Sequence, residues 1–156
     1  YFGDYYLVSI DGTGQYSSNK VRCKNCCEKH HQSGEVTYYH QMLGAVLMHP
    51  NERVVIPLAP EPIIKSDGNK RNDCERNASK RLLQDLRREH PHLKVIIVED
   101  GLASNQPHLS LLDSMNMQYI IGVKPGDHDF LFDWIKKAKG TEVVQTKDKI
   151  RHVFRF

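Results

Sequence analysis

Two short apolar stretches, each ending in Asp-Gly, decide the fold. Residues 5–12 read YYLVSIDG, and residues 94–101 read KVIIVEDG. β-Branched and aromatic residues predominate before a common turn pair, so each stretch predicts a buried strand that ends at a carboxylate. If the two strands are parallel neighbours, Asp11 and Asp100 meet at one edge of a sheet, where ligands of α/β proteins bind.

The surrounding sequence predicts the rest of a mixed sheet with helices packed on it. Residues 12–34 and 59–71 are polar or rich in turn residues and predict loops. Further strands are predicted over residues 36–48, 53–58 and 119–123, with a last hairpin over 141–145 and 150–156. Helices are predicted from Asn72 to His90, from near Pro107, and over 129–139. An antiparallel meander followed by strand–helix alternation is typical of an α/β fold.

Composition excludes several classes of protein. The chain has 156 residues, of which 39% are hydrophobic and 26% charged, so it is neither collagen-like nor wholly disordered. No apolar run approaches the roughly 18 to 20 residues of a membrane span. The net charge of +3 is compatible with nucleic acid but does not require it. The sequence starts at Tyr1 and stops within a strand-like pattern at Phe156, so we expect a fragment of a longer chain.

Two aspartates side by side indicate a metal site. Neighbouring carboxylates repel each other unless a cation compensates, and oxygen ligands at a strand edge suit Mg²⁺ or Mn²⁺. Two such ions about 4 Å apart can activate an attacking oxygen and stabilise a leaving one in phosphoryl transfer. The alternative is that Asp11 and Asp100 each cap only their own turn.

Four motifs occur in order along the chain: SIDGT at residues 9–13, GEVTYYHQMLGAVLMHP at 34–50, NDCERNA at 72–78 and VEDGL at 98–102. Together they resemble bacterial insertion-sequence transposases of the DDE type, over nearly the whole chain. The resemblance implies a ribonuclease-H-like fold with a catalytic Asp, Asp, Glu triad that binds two divalent metals. It also implies metal-dependent phosphodiester hydrolysis followed by strand transfer in DNA transposition.

The resemblance assigns Asp11 and Asp100 as the first two catalytic acids and metal ligands. Residues 1–140 are then an incomplete catalytic core, and residues 141–156 begin a β-rich insertion. We expect the third acid beyond Phe156, so the fragment alone should be inactive.

Glu75 is a competing candidate for the third acid. Ribonuclease H enzymes place a catalytic Glu on the corresponding helix, which keeps a nuclease of the same fold open as an alternative function. The interpretation we favour is that Glu75 closes a capping box with Asn72 and compensates the helix dipole.

The expected partners are transposon-end and target DNA, with no membrane partner. The resemblance implies a homodimer when two ends are synapsed, in the bacterial cytoplasm and associated with the nucleoid during activity. Basic and polar residues near the predicted site are candidate DNA contacts, although a solvated helix face or capped turn explains each as well. They are Lys70, Arg71, Arg76, Lys80, Asn105, His108, Lys124 and His128.

A Cys/His cluster is a candidate zinc site. Its members are Cys23, Cys26, Cys27, His30 and His31. The spacing of Cys23, Cys26 and His31 matches the start of a zinc knuckle, but the fourth ligand would fall at Val36. Cys27, His30 or a distant side chain such as His40 would then have to complete the site. Reduced thiols and surface histidines are the alternative. A third function, a non-enzymatic zinc-binding DNA adaptor, rests on this cluster.

Overall fold

A mixed sheet of six strands organises the first of two compact units, Tyr1–Gly122 and Val123–Phe156. The computed structural model describes residues 3–65, 73–138, 140, 142–147 and 150–155. The strands are β1 (Tyr6–Ser18), β2 (Cys27–His30), β3 (Val36–Met48), β4 (Ile56–Ile63), β5 (Val95–Glu99) and β6 (Gln118–Ile121). The predicted functional boundary between residues 140 and 141 stays a prediction.

The two strands that carry the Asp-Gly turns are parallel neighbours, which is the condition under which Asp11 and Asp100 reach one edge of the sheet. β1 pairs with β5 from Tyr6↔Val95 to Ser9↔Val98, and β5 pairs in parallel with β6. On its other edge β1 pairs antiparallel with β3. The sheet therefore combines parallel and antiparallel strands, which confirms a mixed α/β fold.

Long-range pairing lengthens β1 beyond the predicted end. β1 continues along β3 to Ser18↔Tyr38, with a register shift between Gly14 and Tyr16, and β2 forms within the segment predicted as a loop. The prediction of a loop over residues 12–34 was therefore wrong for both strands. Their residues are polar, but the backbone of β3 supplies the hydrogen bonds that local sequence does not reveal.

β3 carries two short strands end to end on its outer edge. β2 pairs with residues 36–39 of β3, and β4 pairs with residues 41–47. β4 lies later than predicted and includes Pro57, Pro60 and Pro62. Proline cannot donate a backbone hydrogen bond, so these residues fit an edge strand. His40 lies at the break between the two edge strands.

α1 (Glu75–Glu89) contributes the helical side of the core. Its buried face consists of Ala78, Ser79, Leu82, Leu83 and Leu86, close to the predicted apolar stripe. These residues pack with sheet residues such as Val8, Leu43 and Ile97 and with Leu112 of α2 (Gln106–Ser114). The helix ends at His90, before Pro91, as predicted.

The start of α1 differs from the predicted capping box. The N-cap is Cys74, which makes no side-chain cap, and Glu75 is the first helical residue. Asn72 lies outside the described residues. A capping box needs the acid at the third helical position, so Glu75, at the first, is two residues too early to close one.

Arg81 fixes the start of α1 against the sheet. Its guanidinium contacts Glu61 of β4 at 2.5 Å and Asp73 at 2.8 Å. Burial works against the charge of Asp73, but hydrogen bonds from Asn77, the Cys74 N–H and Arg81 hold the pKa of Asp73 below its usual value. This pair of ionic contacts ties the residue before the N-cap of α1 to β4.

The second unit contains α3 (Asp129–Lys137) and an antiparallel pair, β7 (Glu142–Lys147) and β8 (Ile150–Arg155). The helix and the hairpin correspond to those predicted. Among the described residues, no helix is both long and apolar enough to cross a membrane.

Candidate functional site

A pocket of about 260 Å³ lies where β1 separates from β5. Asp11 and Asp100 both line it, each two residues beyond the last β1–β5 pair, Ser9↔Val98. The shared register explains why two carboxylates 89 positions apart in sequence reach one pocket. Their predicted role as metal ligands stays a prediction.

Each of these aspartates also makes a local hydrogen bond. Asp11 Oδ1 accepts from the Gly12 N–H at 2.8 Å, and Asp100 Oδ1 accepts from the Leu102 N–H at 2.9 Å. Asp100 thereby caps the 3₁₀ turn Gly101–Ala103. Each aspartate therefore makes its local hydrogen bond and also lines the pocket, because the bond uses only one of its two carboxylate oxygens.

Glu75 turns towards the sheet and lines the same pocket. Its Oε1 accepts a hydrogen bond from Gln41 Nε2 of β3 at 2.6 Å. A Cβ added to Gly12 would lie 2.5 Å from this oxygen, so the missing side chain of Gly12 makes room for the carboxylate. The capping-box part of the favoured interpretation was therefore wrong, whereas Glu75 does lie in the first turn of α1, where an acid compensates the helix dipole. Sequence reasoning did not single out Gln41 or this use of Gly12.

The three acids line one pocket, but their carboxylate oxygens do not form a tight cluster. Among the described residues, the group whose ligand atoms all lie within 4.8 Å of one another is Cys23, Cys26 and His40. The carboxylate oxygens of Asp11, Glu75 and Asp100 do not all lie within that distance of one another. A cation would therefore have to draw these side chains inward, which exposed aspartates can do by changing rotamer.

A buried ionisable pair supports the floor of the pocket. His108 Nε2 lies 2.5 Å from Glu99 Oε2, and Ser79 donates to Glu99 Oε1 at 3.1 Å. The side chains of His108 and Glu99 are only 5% and 7% exposed. Sequence analysis missed Glu99, although an acid ending the apolar run at residues 95–98 was a signal that it needs a partner.

The candidate DNA contacts fall into three groups. Arg76, Lys80, Asn105 and His108 line the pocket, but His108 is buried on Glu99, and the Asn105 side chain caps α2 by accepting from the His108 N–H. Lys124 and His128 belong to the second unit, next to the start of α3. Lys70 and Arg71 lie outside the described residues. DNA contact by any of them stays a prediction.

Three residues of the Cys/His region form a candidate metal-binding group. The sulfurs of Cys23 and Cys26 lie 3.6 Å apart, and His40 Nε2 lies 3.3 Å from the first and 3.4 Å from the second. Cys23 and Cys26 precede β2, whereas His40 is at the break on the outer edge of β3. Strand pairing thus brings to Cys23 and Cys26 the distant histidine that was one of the side chains predicted to complete the site.

The other predicted members of the cluster have different contacts. The Cys27 thiol is directed to the Ile63 carbonyl in the core, and burial raises its pKa. His30 pairs with Glu28, and His31 contacts the Thr37 hydroxyl at 2.8 Å. The structure therefore separates these three from Cys23 and Cys26.

Comparison with known proteins does not supply a family. No protein-family model matches this sequence, and no curated protein matches it either.

Proposed function

We propose that this chain is the catalytic part of a DNA transposase that cleaves phosphodiester bonds with divalent metal ions and transfers the freed strand. The observation that carries the proposal is that Asp11 and Asp100, each two residues beyond the last β1–β5 pair, line one pocket. Carboxylates that face one opening repel one another, and a bound divalent cation would relieve that repulsion.

The strand arrangement supports a ribonuclease-H-like core. Along one path the sheet runs β4-β3-β1-β5-β6, in which β4, β3 and β1 are antiparallel and β5 and β6 run parallel to β1. This is the antiparallel meander followed by parallel strands that the resemblance implies. α1 packs on this sheet and directs Glu75 into the pocket.

The donor set fits Mg²⁺ or Mn²⁺. Asp11 and Asp100 offer only oxygen atoms, at a pocket open to solvent, which suits hard divalent cations. When bound, such ions polarise the scissile phosphate and lower the pKa of the attacking water. Cys23, Cys26 and His40 take no part, because sulfur ligands do not suit these ions.

The chain's own residues would do the remaining work. Asp11 and Asp100 hold the ions, and Gln41 holds the carboxylate of Glu75 by its hydrogen bond. The side chains of Arg76 and Lys80, at the rim of the same pocket, would neutralise DNA phosphates. A glutamate from another part of the transposase would complete the triad, with transposon-end and target DNA as substrates and two copies in synapsis.

The test is an assay of the full-length protein on labelled transposon-end DNA. With Mg²⁺ or Mn²⁺ we expect cleavage at the transposon end and joining of the new 3′-hydroxyl to a second duplex. A chelator should abolish both steps. Metal-independent cleavage, or a covalent protein–DNA intermediate trapped on denaturing gels, would overturn the proposal.

A nuclease without strand transfer is the second candidate, and the position of Glu75 favours it. If Asp11, Glu75 and Asp100 form the complete acid set, no further residue is needed. Under the transposase proposal, by contrast, Glu75 only adds charge near the ions.

Glu75→Gln separates the two functions. We expect the transposase to lose less than about tenfold in cleavage rate, because another glutamate anchors the second ion. Glu89→Gln is the matched control, since Glu89 is an exposed acid at the other end of the same helix. A loss with Glu75→Gln as large as that with Asp11→Asn, together with no joined product, would establish the nuclease instead.

A further inference from the structure

The Cys23, Cys26 and His40 side chains are spaced as ligands of one tetrahedral ion. Zinc bound at about 2.3 Å from sulfur and about 2.0 to 2.1 Å from nitrogen separates two sulfurs by roughly 3.8 Å and a sulfur from a nitrogen by roughly 3.5 Å. The observed separations are 3.6 Å for the sulfurs and 3.3 and 3.4 Å for the sulfur–nitrogen pairs. Small side-chain adjustments would bring all three onto one zinc.

Backbone N–H groups support charge on both sulfurs. Asn25 N lies 3.4 Å from Cys23 Sγ, and Cys23 N lies 3.2 Å from Cys26 Sγ. The thiolate is the form that binds metal, so the turn prepares these sulfurs as ligands.

An ion bound by Cys23, Cys26 and His40 would connect two separate parts of the structure. Residues 19–26 connect β1 to β2, and the side chain that meets their two cysteines is His40 of β3. His40 lies at the break between β2 and β4, where neither edge strand pairs with it. An ion here would fasten the connection to the sheet and close the break.

Three protein ligands leave one position of a tetrahedral ion unfilled. The nearby Cys27, His30 and His31 are engaged elsewhere, and Cys23 is exposed to solvent. Among the residues that the structure describes, none joins the three as a fourth ligand, so the fourth position is left to water.

We propose that Cys23, Cys26 and His40 bind one zinc ion with water as the fourth ligand, and that this ion fastens residues 19–26 to β3. The proposal is independent of the acid pocket. A chain made inactive by Asp11→Asn should therefore still bind zinc, which separates failure of this proposal from failure of the proposed function.

The first experiment measures the metal content of the full-length protein after exchange into a zinc-buffered solution. We expect about one zinc per chain, and a loss of most of it in Cys23→Ser and in His40→Gln. The matched controls are Cys74→Ser and His30→Gln, which change an exposed cysteine and an exposed histidine outside the group. Equal loss in the controls, no zinc in the parent protein, or a Cys23–Cys26 disulfide in its place would overturn the proposal.

The second experiment measures the absorption spectrum of the unaltered protein with Co²⁺, so it does not depend on the folding of any variant. Replacement of zinc by Co²⁺ should give a thiolate-to-cobalt charge-transfer band and the visible bands of a tetrahedral ion. Added azide should shift the visible bands, since it can displace the bound water. Bands typical of six oxygen ligands would overturn the site, and visible bands indifferent to azide would overturn its open fourth position.

Discussion

Asp11→Asn and Asp100→Asn are each expected to lower metal-dependent DNA cleavage by the full-length protein by about a thousandfold or more. The amide keeps the shape of the side chain but removes the charge that holds the cation. Loss of metal-centred charge stabilisation costs several kcal/mol in the transition state, at about 1.4 kcal/mol for each tenfold in rate. Cleavage of transposon-end DNA under single-turnover conditions measures the effect.

Binding distinguishes a chemical role for these aspartates from a structural one. We expect both variants to bind DNA as tightly as the parent protein, because removing a negative charge does not weaken phosphate contacts. Asp113→Asn is the matched control, since Asp113 is an exposed aspartate of α2 that does not line the pocket. Cleavage by Asp11→Asn at the rate of Asp113→Asn would contradict the assignment.

His108→Ala is expected to lower the free energy of unfolding of the first unit by about 3 kcal/mol. The substitution leaves the Glu99 carboxylate buried with Ser79 as its remaining partner, and breaking a buried pair from one side typically costs 3 to 5 kcal/mol. Urea unfolding followed by circular dichroism measures the change, with His92→Ala as the control at an exposed histidine.

A double-mutant cycle separates the contribution of the His108–Glu99 contact from that of the cavity that alanine leaves. Glu99→Ala, His108→Ala and the double variant should give a coupling energy of at least about 1 kcal/mol, because the double variant no longer buries an unpaired carboxylate. Additive effects would show that His108 stabilises the core only by filling space.

The parts of the fold that could be predicted are those in which local sequence and final environment agree. β5 is an uninterrupted apolar run, and α1 has an apolar stripe at helical spacing, so their burial follows directly from the sequence. β2 and the far half of β1 are polar and owe their strand conformation to β3, which no local pattern reveals. The prolines of β4 indicated a loop, because sequence does not show that this strand lies at an edge.

The same distinction holds for the candidate site. Asp11 and Asp100 could be placed together because each ends an apolar run and parallel strands share an edge. Glu75 could not be placed in the pocket, because its direction depends on Gln41 and on the space left at Gly12, both distant in sequence. His40 joins Cys23 and Cys26 for a similar reason, since the pairing of β3 with its neighbours brings it there.

His40 and Gln41 are consecutive residues of β3, and their side chains lie on opposite faces of the sheet. Successive side chains of a strand alternate, so Gln41 follows buried Leu43 and Ala45 towards α1, while His40 meets the cysteines on the other side. A single-residue insertion or deletion in this stretch would exchange the two sides and remove both contacts at once. We therefore expect β3 to tolerate substitution at its ends but not a change of length around residue 40, a difference that insertion scanning with folding and zinc-content readouts would measure.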